Sequence, residues 1–175
     1  KIDKLLIVGC DPKREAAVLN ARIRQRWLSG NLEIMKLCAP DDLAYKSICL
    51  GNDVMSLANT SVQNKIKKFF KNSSFPMIIL GDSILTSSQG EQIHKSVKII
   101  AQRSELIKKD WNGFNVLNKY ASRVGGLSVG FIPFNGGKSA LEIKNSLKVN
   151  KIKILFLIEA DDFELNDDEL KKTCL

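Results

Sequence analysis

Three aliphatic runs of one design limit what this chain can fold into. Leu5-Leu6-Ile7-Val8-Gly9 leads to Asp11-Pro12, Met77-Ile78-Ile79-Leu80-Gly81 to Asp82-Ser83, and Ile154-Leu155-Phe156-Leu157-Ile158 to Glu159-Ala160-Asp161. A strand with one wet face alternates apolar and polar side chains, whereas an unbroken run belongs to a strand covered on both faces. Helix-like stretches separate these runs. Such strands alternating with helices imply an α/β fold, a mostly parallel sheet with helices on both faces, built from Rossmann-like βα units.

The intervening segments fit that plan. Asp11 suits a helix cap and Pro12 a first helical position, with Ala16, Leu19, Ile23 and Trp27 on one face. Gly30-Asn31 closes that helix, and Leu32–Leu37 can form the next strand. Ser88 with Glu91, and Ser139 with Glu142, have the spacing of capping boxes. Ile93, Val97, Ile100 and Ile107 continue the apolar face behind the first box, and Ile143 and Leu147 behind the second. Residues 40–60 read as loop with a short helix. Residues 110–138 are rich in Gly and Asn and read as irregular.

Composition narrows the class further. The 175 residues are 44% apolar and 26% charged, which excludes wholesale disorder, a collagen-like fibre and a disulfide-stapled miniprotein. No linker divides the sequence, so residues 1–175 are expected to form one domain. No apolar run reaches the length of a bilayer span, and no signal peptide follows the first basic residues. Beginning at Lys1 and stopping in mid-pattern at Leu175, the chain is expected to be a piece of a longer one.

The formal net charge is +8, a balance that suggests phosphate, nucleic acid or an anionic surface. The lysines nevertheless spread over helical stretches without interleaved aromatics, and seven acids crowd residues 159–169. Solvated helix faces are the expectation, with no nucleic-acid partner. Cys10, Cys38, Cys49 and Cys174 are far apart, without a C-x-x-C pair, and His94 is the lone histidine. Four reduced, mostly buried thiols are expected.

Several motifs stop short of a complete site. Gly136-Gly137-Lys138-Ser139 has the end of a P-loop, but Ile132 and Pro133 stand where the loop needs its first glycine and a free amide. Gly9-Cys10-Asp11 lacks the second glycine that lets a pyrophosphate approach. Gly81-Asp82-Ser83-Ile84-Leu85 resembles the opening of GDSL-type hydrolases, yet His94 lies in the following helix and no Asp-x-x-His occurs. Glu91 and His94 form one Glu-x-x-His where a di-iron bundle needs two. The residues therefore assign no catalytic, cofactor-binding or metal-binding position.

Longer stretches carry a resemblance. Trp111-Asn112-Gly113-Phe114-Asn115-Val116-Leu117, then Ala121-Ser122-Arg123-Val124-Gly125-Gly126-Leu127 and Gly130-Phe131-Ile132-Pro133, resemble the large iron–sulfur subunit of respiratory complex I. Asp11-Pro12-Lys13-Arg14-Glu15-Ala16, Asn20-Ala21-Arg22-Ile23-Arg24, Pro76–Gly81 and Ile154–Asp161 resemble it in the same order. Asp11 replaces the family's usual Asn, and Glu159 its usual Gly. The resemblance implies the C-terminal, molybdopterin-oxidoreductase-like part of that subunit, a fold shared with formate dehydrogenase and DMSO reductase. It implies a scaffold without an active site or cofactor of its own, the iron–sulfur clusters lying in the N-terminal part of the full chain. Implied partners are the other peripheral-arm subunits and the remainder of its own chain. Membrane contact would be indirect, from the bacterial cytoplasmic face or the mitochondrial matrix side. The alternatives are the pterin-nucleotide-binding domain of a true molybdenum oxidoreductase, or a free-standing nucleotide- or nucleic-acid-binding module.

Overall fold

The computed structural model describes residues 1–158 and 165–166. The chain divides into two compact units, Lys1–Tyr120 and Ala121–Leu175. The first is built on strands β1 (Lys4–Val8), β2 (Glu33–Leu37), β3 (Ile48–Cys49), β4 (Pro76–Gly81) and β7 (Phe114–Leu117), all parallel, in the order β3-β2-β1-β4-β7. Strand β1 is central, with Leu6 opposite Met35 on one side and Ile78 on the other.

Both faces of the sheet are covered, as the unbroken aliphatic runs require. Leu6, Val8, Met35, Leu37, Ile78 and Leu80 meet Ile66, Phe69 and Phe70 of helix α3 (Thr60–Phe70) and Ile93, Val97 and Ile100 of helix α5 (Gly90–Arg103). On the other face Leu5, Ile7, Ile34 and Ile79 meet Ile23 of helix α2 (Ala17–Leu28), with Leu43 and Tyr45 from the loop after β2. Asp11 caps helix α1 (Pro12–Glu15), Pro12 occupies its first turn, and Leu19 and Trp27 join Ile23 against the sheet. The backbone breaks at Ala16 between α1 and α2.

Segment 110–138 is more regular than its composition suggests. Ile107–Lys108 (β5) and Trp111–Asn112 (β6) form an antiparallel hairpin, and β7 follows as the sheet's edge strand. The Trp111 indole N–H donates to the Pro76 carbonyl at 2.7 Å, and its ring meets Phe75 edge-on at 5.1 Å. The Trp-Asn-Gly-Phe-Asn run thus clamps the start of β4. Ile107 belongs to this hairpin, 63% exposed, and not to the buried face of α5.

Two further expectations are corrected. The Ser88–Glu91 capping box does not form, because α5 starts at Gly90 with Gln89 as its cap, and Glu91 instead pairs with Lys95 at 2.6 Å. Ile154–Ile158 is not a strand: Ile154, Phe156 and Ile158 are 71%, 85% and 85% exposed. An aliphatic run becomes a strand only where a neighbouring backbone takes its N–H and C=O groups, and this one has none among the described residues. Within its unit, helix α6 (Arg123–Ser128) precedes helix α7 (Ala140–Lys148), where Ser139 and Glu142 do form the expected capping box. Glu159-Ala160-Asp161 and the acidic run lie outside the described residues, save Leu165 and Asn166.

One carboxylate joins the start of β1 to the turn before β4. Asp3 accepts from the Ser73 hydroxyl, from the Ser74 amide at 2.7 Å and from the Phe75 amide at 3.1 Å. Burial alone would raise its pKa, but these hydrogen bonds prevail and hold it below the ordinary 3.8. A lowered folded-state pKa contributes stability that is present above the unfolded value and lost as pH falls through the folded one. Asp3→Asn is therefore expected to destabilise by about 1 kcal/mol at neutral pH, with the deficit closing below pH 3.8. Urea denaturation of both forms across pH 2–7 checks this, and a deficit independent of pH would refute it.

Candidate functional site at the strand ends

In an open parallel sheet, ligands bind beyond the carboxyl ends of the strands, where the strand order reverses. Here the chain runs outward from β1 through β2 to β3 and returns to β4 on the other side of β1. The reversal therefore lies between Val8-Gly9-Cys10-Asp11 and Gly81-Asp82-Ser83, and the two notable turns of the sequence are spatial neighbours.

The chain packs closely against itself at that crevice. Gly9 adopts φ +57°, and its amide donates to the Leu37 carbonyl at 2.9 Å. A Cβ on Gly9 would lie 2.6 Å from Cγ2 of Ile84, in helix α4 (Asp82–Leu85). A Cβ on Gly81 would overlap the Gly9 carbonyl. The glycines thus let the two turns pack closely at the point where the strand order reverses.

The polar groups there are equally unsuited to phosphate. The Asp11 carboxylate already accepts from the Lys13 and Arg14 amides at 3.0 and 3.4 Å, while Glu15 accepts from the Asp11 amide at 2.6 Å. The amide donors that would hold an anion are thus occupied by carboxylates. Asp82 is buried at the start of α4. Burial, then Glu15 and Asp11, push the Cys10 thiol up to about 12. Burial, then Cys10 and Asp11, likewise push Tyr45 up to about 12, and its hydroxyl is buried without a hydrogen-bond partner. These residues do not fit the pyrophosphate of a pterin dinucleotide.

The other sequence motifs stay apart. Ser83 is exposed in α4, His94 is exposed on α5, and no hydrogen bond joins them. Gly136 adopts φ +90°, while the Ser139 hydroxyl caps α7 by accepting from the Glu142 amide. Among the described residues no group of three or more His, Cys, Asp or Glu side chains could hold a metal ion. The thiols are less buried than expected: Cys10 is buried, Cys38 is half-buried, Cys49 is exposed, and Cys174 lies outside the described residues. The difference is positional, since Cys38 leaves β2 at φ +50° and Cys49 ends the short strand β3.

The sequence also conceals a buried cation. Lys36 sits in β2 between apolar neighbours, 3% exposed, and its ammonium donates to the Pro40 carbonyl at 2.8 Å and to the Asp41 carboxylate. With Lys13–Asp42 at 2.7 Å it ties the loop after β2 down over the sheet. That loop occupies a place where βα units carry a helix. No spacing signal foretells it, because Ile34-Met35-Lys36-Leu37 reads as one more strand.

Comparison with known proteins gives a consistent result. The molybdopterin oxidoreductase family model matches residues 1–175. An NADH-quinone oxidoreductase subunit of Rickettsia prowazekii is 31% identical over 163 residues, 90% of this chain and 24% of that protein. The NADH-ubiquinone oxidoreductase 75 kDa subunit of Reclinomonas americana is 31% identical over 168 residues, 95% of this chain and 24% of that one. The mitochondrial NADH-ubiquinone oxidoreductase 78 kDa subunit of Neurospora crassa is 34% identical over 168 residues, 94% and 21%. The chain spans about a quarter of the length of these relatives.

Two measurements follow from the crevice. Gly81→Ala forces the Gly9 carbonyl aside and is expected to cost about 2 kcal/mol or more, read as a lower urea midpoint; an unchanged midpoint would contradict the close approach. In the folded protein at pH 8, iodoacetamide should modify Cys49 faster than Cys10 by on the order of a hundredfold. Peptide mass spectrometry after timed quenching reads both sites, and equal rates would show that Cys10 is not sealed.

Proposed function

This chain belongs to the molybdopterin oxidoreductase family, and on that premise we propose that it is a scaffold segment of the large subunit of an NADH–quinone oxidoreductase. The observation that carries the reading is the closed crevice. Where catalytic relatives of such a fold would hold a nucleotide, Gly9 meets Gly81 and the helix amides are taken by Asp11. The similarity to three subunits named for NADH-quinone or NADH-ubiquinone oxidoreduction supports the choice of assembly.

On this reading the whole subunit takes part in moving electrons from NADH to quinone, and its iron–sulfur clusters lie in the part that precedes this segment. The segment contributes position and packing surface. Its contacts are with the rest of its own chain and with neighbouring peripheral-arm subunits. Among the described residues no helix is long and apolar enough to cross a membrane, and the proposed attachment is peripheral. The enzyme would stand on the cytoplasmic side of a bacterial membrane or on the matrix side in a mitochondrion.

An antibody to this segment, used on native gels of gently solubilised membranes stained in parallel for NADH dehydrogenase activity, tests the assignment. Co-migration with the large NADH-oxidising band is expected. Migration as a small soluble species would overturn it. Molybdenum in the antibody-positive band, in proportion to the chain, would instead favour the pterin-nucleotide-binding alternative.

A further inference from the structure

The C-terminal ends of α3 and α5 lie on one face of the sheet, near the start of β1 and so at the end opposite the crevice between Gly9 and Gly81. A solvent-open cavity of about 450 Å³ lies between them, lined by Lys67, Lys68, Lys71 and Arg103 together with Asn64 and Ser104. Glu105 is the only carboxylate among the described residues of its wall, so the lining carries a surplus of three positive charges. We propose that this basin binds the phosphate chain of a di- or triphosphate.

Cations near helix C-termini usually need no ligand, because they complement the carbonyl end of the helix dipole. That role is already filled here. Lys4, reaching in from β1, donates to the Phe69 carbonyl at 2.6 Å and to the Lys71 carbonyl at 3.3 Å. The end of α5 is closed by its own backbone, with Ser104 N–H on the Ile100 carbonyl and Leu106 N–H on the Ala101 carbonyl, both at 3.0 Å, around Glu105 at φ +51°. The four basin cations therefore keep their charges uncompensated by the helix ends. None of them forms an ion pair among the described residues, where the pairs are Lys13–Asp42, Arg14–Asp11, Lys36–Asp41 and Lys95–Glu91.

Two details give the basin more than charge. The Arg103 guanidinium donates to Gln63 Oε1 at 3.0 Å, which holds the fork between the two helices. The Ser104 hydroxyl is buried and has no hydrogen-bond partner. Buried polar atoms without partners are rare in folded proteins, and this one belongs to a residue of the cavity wall. Mutual repulsion among the cations is relieved by a bound anion, and one of three or four charges matches the surplus. The one aromatic residue of the lining, Phe70, is buried in the core and offers no face for a base. The phosphate chain is thus the recognised chemistry, whether inorganic or carried by a nucleoside.

Calorimetric titration of the full-length protein with sodium pyrophosphate and, separately, with ATP tests the proposal. Binding should weaken as ionic strength rises. In Lys71→Glu/Arg103→Glu it should fall by about tenfold or more. Lys67→Gln/Lys68→Gln, confined to exposed positions of α3, provides a second variant with the same expected direction should the first not fold. Lys65→Glu, on α3 but outside the basin, should leave affinity unchanged. Equal affinities, or tighter binding of ATP that sodium tripolyphosphate matches, assign the site to the phosphate chain alone, and binding of ATP tighter than both assigns it to a nucleoside-borne chain. No binding at millimolar ligand, or full affinity in the basin variants, would overturn the proposal. So would a short single-stranded RNA held by these lysines that pyrophosphate cannot displace.

Discussion

Strand β1 is enclosed on all four sides, and the first unit depends on that enclosure. Its two edges are paired to β2 and β4, and Leu5, Leu6, Ile7 and Val8 are fully buried on alternating faces. With no side chain left for water, every neighbour is specified by β1: α3 and α5 over Leu6 and Val8, α2 over Leu5 and Ile7. A polar residue at any of these positions would be buried at a cost of several kcal/mol unless it found a partner. Asp3 and Lys4, at the strand's entry, show how the next polar groups are handled. Each reaches the β4 side of the sheet, Asp3 to the turn at 73–75 and Lys4 to the carbonyls that end α3.

The exit of β1 is governed by the same shortage of space. Gly9 and Gly81 permit β1 and β4 to continue side by side into their helices, and Ile84 settles on the bare Cα of Gly9. The small residues that in a dinucleotide-binding fold make room for a ligand here make room for the protein itself. Asp11 completes the exchange, since its carboxylate supplies to the α1 amides the negative charge that a phosphate would bring. Fold and site chemistry are separable, and a few residues at one turn are enough to part them.

The sequence disclosed those features that have a local physical signature. Double-sided strands announce themselves by unbroken apolar runs, so β1 and β4 were legible. Asp11-Pro12 and the Ser139–Glu142 box were legible because capping is a matter of neighbouring residues. Strand β7 was hidden because Asn115 and the preceding Asn and Gly give an edge strand the composition of a loop. The Ile154–Ile158 run misled for the opposite reason: its composition is that of a buried strand, but pairing is a property of the neighbourhood. Of the candidate site, the missing second glycine was visible in Gly9-Cys10-Asp11, while the meeting of Gly9 with Gly81 joins residues 72 positions apart and left no trace in spacing. The basic basin was hidden likewise, since its cations come from two helices that only packing brings together.

The distribution of burial differs between the two units. In the first unit the large apolar side chains of the central strands are sealed. In residues 121–158, Val129, Phe131, Phe134, Phe156 and Ile158 are each more than 70% exposed. Single exposed apolar residues are ordinary, but a series of them including three phenylalanines is the mark of a surface that works under cover. Segments of about a quarter of a longer chain have such surfaces wherever the remaining three quarters pack on them, and the relatives are of that length. On the proposed scaffold reading, the exposed phenylalanines and the tight meeting of the two turns would share one explanation: such a segment would hold other parts of an assembly by its apolar surface, and its strand ends would be free to pack on themselves.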